Sequence, residues 1–186
     1  MDAEETFKTK APTVMRWLMR DFHLVDFQAA GILGNTGREC LGFTVLREIG
    51  AAPGRGGYGW MQWTGPRAHQ FLDWSSAAGL DWRGDAANYG FLKHELSGAY
   101  HYAIAAVAKA KTCYDATVSF ERSYERAGVP AYQDRFHWAD LALTAFRAHD
   151  AGAVPIAPYV SPTTPYISPT VPAWPQAPST SKTKSN

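Results

Sequence analysis

The spacing of apolar positions predicts that residues 1–150 are mainly helical. Val14, Trp17 and Leu18 fall on one face of a first helix, and Pro12 suits its first turn, where no backbone N–H is needed. Six further helices are predicted, from Asp26 to about Arg38, from Gly65-Pro66 through Trp74, and over about 86–97, 99–111, 114–126 and 131–148.

Glycine marks two places that differ from ordinary helix sequence. Gly31 and Gly34 lie inside the second predicted helix, where glycine costs roughly 1 kcal/mol relative to alanine. We therefore expect another element to pack closely against that helix. Residues 50–59 contain five glycines and one proline, which predicts a loop or a short hairpin.

The composition changes sharply at residue 151. Residues 151–186 hold eight of the twelve prolines, together with many Ser and Thr, and contain no Asp or Glu. Such a segment buries too little apolar surface to offset the entropy of ordering. The sequence therefore predicts a folded domain over 1–150 and a Pro/Ser/Thr-rich disordered tail over 151–186.

Composition narrows the classes of function. With 186 residues, 46% of them apolar, the chain is long enough for one domain with its own core. A formal net charge of +1 provides no basic field for nucleic acid. No apolar run approaches the roughly 20 residues that span a bilayer, so no membrane insertion is expected. The N-terminal residues lack the pattern of a signal peptide, so we expect synthesis in the cytoplasm and release by other means.

No metal ion or other cofactor is expected. Cys40 and Cys113 lack the spacing of a metal site or a redox motif, although a single disulfide between them stays open. His94 and His101 have no third ligand at matching spacing. No phosphate-binding loop, serine nucleophile motif or dinucleotide fingerprint is present.

Residues 29–67 carry the candidate chemistry. They place one carboxylate, Glu39, at the end of the second predicted helix, ahead of a segment rich in glycine, aromatic rings and amides. The helix dipole disfavours an anion there, and apolar neighbours such as Leu41, Phe43 and Trp60 would add to this effect. We therefore expect a raised pKa for Glu39, as a general acid in sugar cleavage requires.

The chain carries Gly34-Asn35 with Glu39 four residues on, Gly-Tyr-Gly-Trp-Met-Gln-Trp-Thr-Gly-Pro-Arg over 57–67, Glu95-Leu96, Phe-Glu-Arg-Ser-Tyr-Glu-Arg over 120–126, and Arg135. Together these motifs resemble the phage tail lysozyme domain, which is related to goose-type lysozymes and soluble lytic transglycosylases. The resemblance covers about residues 12–148. It implies a mainly α, lysozyme-like fold, in which a helical bundle carries a short glycine-rich β-hairpin that lines the cleft.

The resemblance implies that Glu39 is the catalytic acid and that Gly57–Gln62 lines the cleft. The residues expected to bind substrate are Asn35, Tyr58, Gly59, Gln62, Trp63, Thr64 and Tyr124. Trp60 and Trp63 cannot both face the cleft in an extended segment, because they are three positions apart, so one of them is expected in the core. For Tyr124 the alternative is a buried tyrosine beside a structural Glu125–Arg126 pair.

A second acidic group is harder to identify. Glu48 is the candidate nearest the glycine-rich segment, and its alternative is a surface charge paired with Arg47 or Arg55. If no base activates water, the sugar's own 6-hydroxyl can attack, as in a lytic transglycosylase. The chain also has Cys40 after Glu39, where the family more often has serine, so the hydrogen-bonding role of that serine needs another group.

The function that the resemblance implies is cleavage of peptidoglycan between N-acetylmuramic acid and N-acetylglucosamine, by hydrolysis ahead of transglycosylation. The alternatives are a non-catalytic wall-binding or tail structural module and a chitin-type hydrolase. The expected partner is the peptidoglycan glycan strand, with other virion proteins reached through the tail. The protein is expected to reach the wall after holin release, as an endolysin, or as a virion component, as a tail lysin.

Overall fold

The computed structural model describes residues 2–52 and 55–151, and within them the chain is mainly helical, as predicted. The helices, in chain order, are α1 (Ala3–Phe22), α2 (Asp26–Glu39), α3 (Gly65–Ala77), α4 (Asp85–Ser97), α5 (His101–Val107), α6 (Cys113–Phe120), a π-helix (Glu121–Glu125) and α7 (Tyr132–Asp150). The predicted helices after Gly65-Pro66, near 86–97 and near 131–148 are confirmed as α3, α4 and α7.

The first helix begins earlier than predicted. Asp2 caps α1 by accepting a 2.8 Å hydrogen bond from the backbone N–H of Glu5, so Pro12 lies inside the helix and does not open it. Proline removes one backbone donor in that position. Burial of Phe7 and Ala11 on the same helix offsets this loss, which local sequence rules do not include.

Helix α2 lies at the centre of the bundle and packs against α1, α6 and α7. Its glycines allow this close packing, as expected. A Cβ atom on Gly31 would lie 2.5 Å from Ala116 on α6, and one on Gly34 would lie 2.5 Å from the carbonyl oxygen of Arg135 on α7. Two neighbouring helices therefore approach α2 at positions that only glycine fits.

Two predicted helices differ in length or type in the structure. The helix expected over 99–111 is limited to α5, and that over 114–126 ends as α6 and continues as the π-helix. Thr112 caps α6, because its hydroxyl accepts a 3.0 Å hydrogen bond from the N–H of Asp115. The π-helix closes with a 2.7 Å hydrogen bond from the N–H of Arg126 to the carbonyl of Glu121.

The predicted β-hairpin is not formed as a pair of strands in the described residues. Tyr58 makes isolated bridge pairs with Arg47 and with Trp63. Gly59 and Gln62 both have positive φ, at 69° and 44°, so the backbone turns at these two residues and does not continue an extended ladder. The glycine-rich segment over residues 57–64 is therefore a loop held by bridge-like hydrogen bonds. We refer to these residues as the glycine-rich wall.

The cysteines, the character of the helices and the tail bear on further statements made from the sequence. Both cysteines are free, so the disulfide that the sequence left open is not formed. No helix in the described ranges has the length and apolar character to cross a bilayer. The predicted tail lies outside the described residues apart from Ala151.

Replacing Gly34 with alanine is expected to lower stability by at least about 1 kcal/mol, because overpacking against rigid backbone exceeds the gain in helix propensity. The added methyl would meet the carbonyl oxygen of Arg135 at 2.5 Å and the Cβ of Ala139 at 2.7 Å. Urea unfolding measures the change. The matched control is Gly128→Ala, whose methyl meets nothing within 4 Å. Equal unfolding midpoints for the two variants would contradict the close approach of α2 and α7.

Candidate active site

Glu39 is the last residue of α2, as the sequence predicts, and a strained turn follows it. Leu41, Gly42 and Phe43 all have positive φ, of 45°, 60° and 70°. Non-glycine residues rarely hold this conformation unless packing imposes it. Here the ring of Phe43 packs on Trp60, with centroids 4.7 Å apart, and this contact fixes the turn. The helix therefore stops at Glu39.

A buried arginine holds the Glu39 carboxylate. Arg135 on α7 is 2% exposed, and its Nη2 donates a 2.7 Å hydrogen bond to Glu39 Oε1, while 23% of the Glu39 side chain stays exposed. The other guanidinium nitrogens donate to Asn35 Oδ1 at 3.0 Å and to the carbonyl of Pro130 at 2.7 Å. The site thus presents one anchored, partly accessible carboxylate.

The apolar environment expected around Glu39 is not what the structure shows. Leu41 points outward and is 52% exposed, and a guanidinium contacts the carboxylate directly. Arg135 is one of the motif residues identified in the sequence, but nothing in the sequence indicates that this arginine contacts Glu39.

A second buried carboxylate, Glu95 on α4, organises the residues behind the site. Arg67 binds it with two hydrogen bonds, of 2.8 and 2.9 Å. The indole of Trp63 donates to Glu95 at 2.8 Å, and the hydroxyl of Tyr124 also donates to it. Because charge-assisted and bidentate bonds are strong, these contacts hold α3, α4 and the π-helix together.

Tyr124 is therefore part of the packed core. Burial raises the pKa of its phenol well above the usual value, and the charge of Glu95 acts in the same direction. The guanidinium of Arg67 lies over the Tyr124 ring at 4.6 Å from its centroid. The structure matches the alternative of a buried tyrosine, while substrate contact by Tyr124 stays a prediction. The Glu125–Arg126 pair of that alternative is not among the ion pairs of the described residues.

Glu125, the next residue in the chain, belongs to the 120–126 motif, but the sequence analysis assigned it no chemical role. Its Oε1 atom is shielded from solvent and accepts no hydrogen bond from the described residues, although the residue as a whole is only half-buried. Burial and the charges of Glu39 and Glu95 together raise the pKa of Glu125 to about 8, against the effect of Arg135 and Arg67. Glu125 is therefore protonated at neutral pH.

The glycine-rich wall combines buried and accessible residues. Trp60 and Trp63 are both buried, so the core takes both rings and not only one. Gly59 is also buried, and a Cβ there would collide with Asn88. The Gln62 amide donates to the carbonyls of Val45 and Gly59 at 3.0 and 2.9 Å, which holds the turn. Within the described residues, the amide oxygen of Gln62 accepts no hydrogen bond.

The remaining predicted site residues lie at the surface. Glu48 is exposed, and its Oε2 accepts a 2.9 Å hydrogen bond from the N–H of Gly57, which closes the loop. Tyr58 is half-buried, with the guanidinium of Arg47 4.2 Å above its ring. Thr64 is exposed at the start of α3. Among the described residues no contact joins Glu48 to Glu39.

Cys40 makes the hydrogen bonds available to a hydroxyl at this position. Its Sγ donates to the carbonyl of Thr36 at 3.1 Å and accepts from the N–H of Phe43 at 3.3 Å. Burial raises the pKa of the thiol to about 12, so it is neutral. The departure from serine therefore leaves the turn after Glu39 supported.

The structure thus joins the predicted site residues in two groups. Asn35 and Glu39 meet through Arg135, and Trp63 and Tyr124 meet through Glu95. The described residues contain no group of three His, Cys, Asp or Glu side chains that could hold a metal ion. The arrangement offers proton transfer by carboxyl groups.

Replacing Tyr124 with phenylalanine is expected to lower the free energy of unfolding by about 1–3 kcal/mol, because a hydrogen bond to a buried charged group is lost. Chemical denaturation measures the change. Tyr102→Phe is the matched control, since that exposed hydroxyl only accepts a 3.0 Å bond from Arg126 and its loss should change stability by less than about 0.5 kcal/mol. Equal stabilities would contradict the structural role of the Tyr124 hydroxyl.

Comparison with known protein families places the chain in one family. The family model described as phage tail lysozyme matches residues 9–146, a range that includes Glu39, the glycine-rich wall, Glu95, the π-helix and Arg135. No curated protein matches the chain. Because the family model spans most of the chain and all of the residues that build the site, the protein belongs to the phage tail lysozyme family.

Proposed function

We propose that this protein cleaves the glycan strand of bacterial peptidoglycan between N-acetylmuramic acid and N-acetylglucosamine by hydrolysis. Membership of the phage tail lysozyme family supports a lysozyme-like, peptidoglycan-degrading function. The observation that carries the finer proposal is the partly exposed Glu39 carboxylate at a helix end, anchored from behind by Arg135. Glycosidases use such a fixed carboxyl group beside the scissile bond.

In this proposal Glu39 protonates the oxygen that leaves when the glycosidic bond breaks. Correct placement matters, because proton transfer needs hydrogen-bond reach between acid and leaving oxygen. The strained turn after Glu39 and the three hydrogen bonds of Arg135 support that placement. The exposed 23% of the side chain supports access for a substrate.

We assign substrate contact to the predicted site residues whose side chains keep exposed surface. Tyr58, Gln62 and Thr64 keep exposed surface on the glycine-rich wall, and they offer a ring, an amide and a hydroxyl to an amino sugar. Asn35, Gly59, Trp63 and Tyr124 are buried and would support the wall from behind.

The attacking group decides between two chemistries. Hydrolysis needs a water activated by a base, and Glu48 stays the predicted second acid for that role. Its carboxylate already accepts the N–H of Gly57, a contact that also suits a loop clasp. In the alternative, the 6-hydroxyl of the muramic acid attacks and yields the 1,6-anhydro product of a lytic transglycosylase.

The family description, phage tail lysozyme, supports action on the wall as part of a virion, with other tail proteins as partners. Release through a holin as a free endolysin is the alternative route. A wall-binding or structural module of a tail would share the fold without turnover. Release of soluble fragments from purified walls separates an enzyme from such a module.

Glu39→Gln is expected to reduce cleavage of purified peptidoglycan by about 10²–10⁴-fold, the usual contribution of a general acid, because the amide cannot donate an acidic proton. Clearance of a wall suspension measures the rate, and circular dichroism checks the fold. Glu5→Gln is the matched control, an exposed carboxyl on α1 that should leave the rate unchanged. Full activity of Glu39→Gln would remove Glu39 from the mechanism.

Mass spectrometry of the released fragments identifies the chemistry. Reducing ends are expected, since hydrolysis adds water across the bond, whereas 1,6-anhydro ends would establish transglycosylation instead. A parallel assay on chitin oligomers should give slower cleavage than on muropeptide polymer. Binding to sacculi without soluble fragments would contradict an enzymatic role altogether.

A further inference from the structure

We infer that Glu125 is a second acid of this site, a positioning residue that stores the proton which Glu39 delivers to the leaving oxygen. The inference rests on the proposed function of Glu39. It gives a chemical role to a buried carboxyl at the end of the π-helix.

In the described residues, the Oε1 atom of Glu125 lacks the hydrogen bonds that a structural carboxylate makes. Its Oε1 atom is buried and accepts no hydrogen bond within the described part of the chain. The neighbouring acid on the same π-helix, Glu121, shows the contrast, because its oxygens accept bonds from the N–H of Ala127 and the hydroxyl of Tyr132 at 2.9 and 3.0 Å. An unsatisfied buried carboxyl oxygen is costly, and π-helices occur often at functional sites.

The charges around Glu125 come from four helices. Glu39 on α2 and Glu95 on α4 repel its anion, while Arg67 on α3 and Arg135 on α7 attract it. With Glu125 neutral, two carboxylates balance two guanidinium groups. With Glu125 ionised, the buried cluster carries an excess negative charge. The cluster is therefore balanced when it holds one proton, and burial assigns that proton to Glu125.

This proton meets a need at Glu39. Arg135 donates a 2.7 Å hydrogen bond to Glu39 Oε1, and a general acid must carry a proton when the glycosidic bond breaks. The negative charge of Glu39 is one of the causes that raise the pKa of Glu125, so the proton that Glu125 holds is available to this pair of acids. Transfer of that proton leaves Glu125 as a carboxylate, whose negative charge Arg135 and Arg67 stabilise.

The proton balance closes over one turnover. The proton of the pair goes to the leaving oxygen as the bond from C1 to that oxygen breaks. A water oxygen then bonds to C1, and the proton that this water loses returns to the pair. The same balance holds if a sugar hydroxyl attacks in place of water.

The first test is the pH dependence of wall cleavage by the full-length protein and by Glu125→Gln. The wild-type rate should fall as the pH rises through about 8, where the pair loses its proton. Glu125→Gln keeps the shape and neutrality of the protonated acid but has no proton to give. Its rate at pH 7 should be lower by about 10²-fold or more, with the alkaline limb at lower pH. Wild-type rate and an unchanged limb in this variant would overturn the inference.

The second test needs no activity. The Glu125 pKa is about 8 in the folded protein, against 4.5 for an ordinary glutamate such as that of the unfolded chain. Between these values only the folded wild type binds the proton, so its stability falls with rising pH and levels off above about 8. Relative to Glu125→Gln, the unfolding equilibrium constant of wild type should rise by up to about tenfold per pH unit in that window.

The two tests separate the possible failures. Parallel stability curves for wild type and Glu125→Gln would overturn proton storage by Glu125, whatever the activity. The expected stability curves together with an inactive wild type would overturn the proposed function and the delivery step. An active wild type, an inactive Glu39→Gln and a fully active Glu125→Gln would overturn the delivery step alone. Glu5→Gln, carried through both tests, should follow the wild type.

Discussion

The contact between Arg135 and Glu39 connects the fold to the site. Arg135 is buried on α7, and the carbonyl oxygen of the same residue packs against Gly34 on α2. One residue thus sets both the closeness of two central helices and the position of the carboxylate at the end of one of them. The orientation of Glu39 depends on that packing, since Asn35 fixes a further nitrogen of the same guanidinium.

A second network stands behind the first. Glu95, Arg67, Trp63 and Tyr124 join three helices and the glycine-rich wall through charge-assisted hydrogen bonds. Glu125 lies within the electrostatic reach of both networks. A buried cluster of this kind is stable only if its charges balance, so the protonation of one member depends on all the others. The pKa of Glu125 therefore depends on charged groups of both networks.

The sequence predicted the helical fold, the close packing at Gly31 and Gly34 and the place of Glu39 at a helix end, because these depend on periodicity and on local residue chemistry. It did not predict that Pro12 lies inside α1 or that the wall forms no strands, because long-range packing and positive φ angles decide those features. The contact between Glu39 and Arg135 could not be predicted either, because Arg135 lies far along the chain and no local rule pairs the two residues. The sequence identified Glu125 only as one residue of the 120–126 motif.

The thiol at position 40 has a consequence for the handling of the protein. The reactive form of cysteine is the thiolate, and burial keeps Cys40 neutral with a pKa of about 12. Oxidants such as peroxide should therefore leave this side chain intact, even though it directly follows the proposed acid. Cysteine at the position where the family more often has serine therefore adds no readily oxidised group beside Glu39.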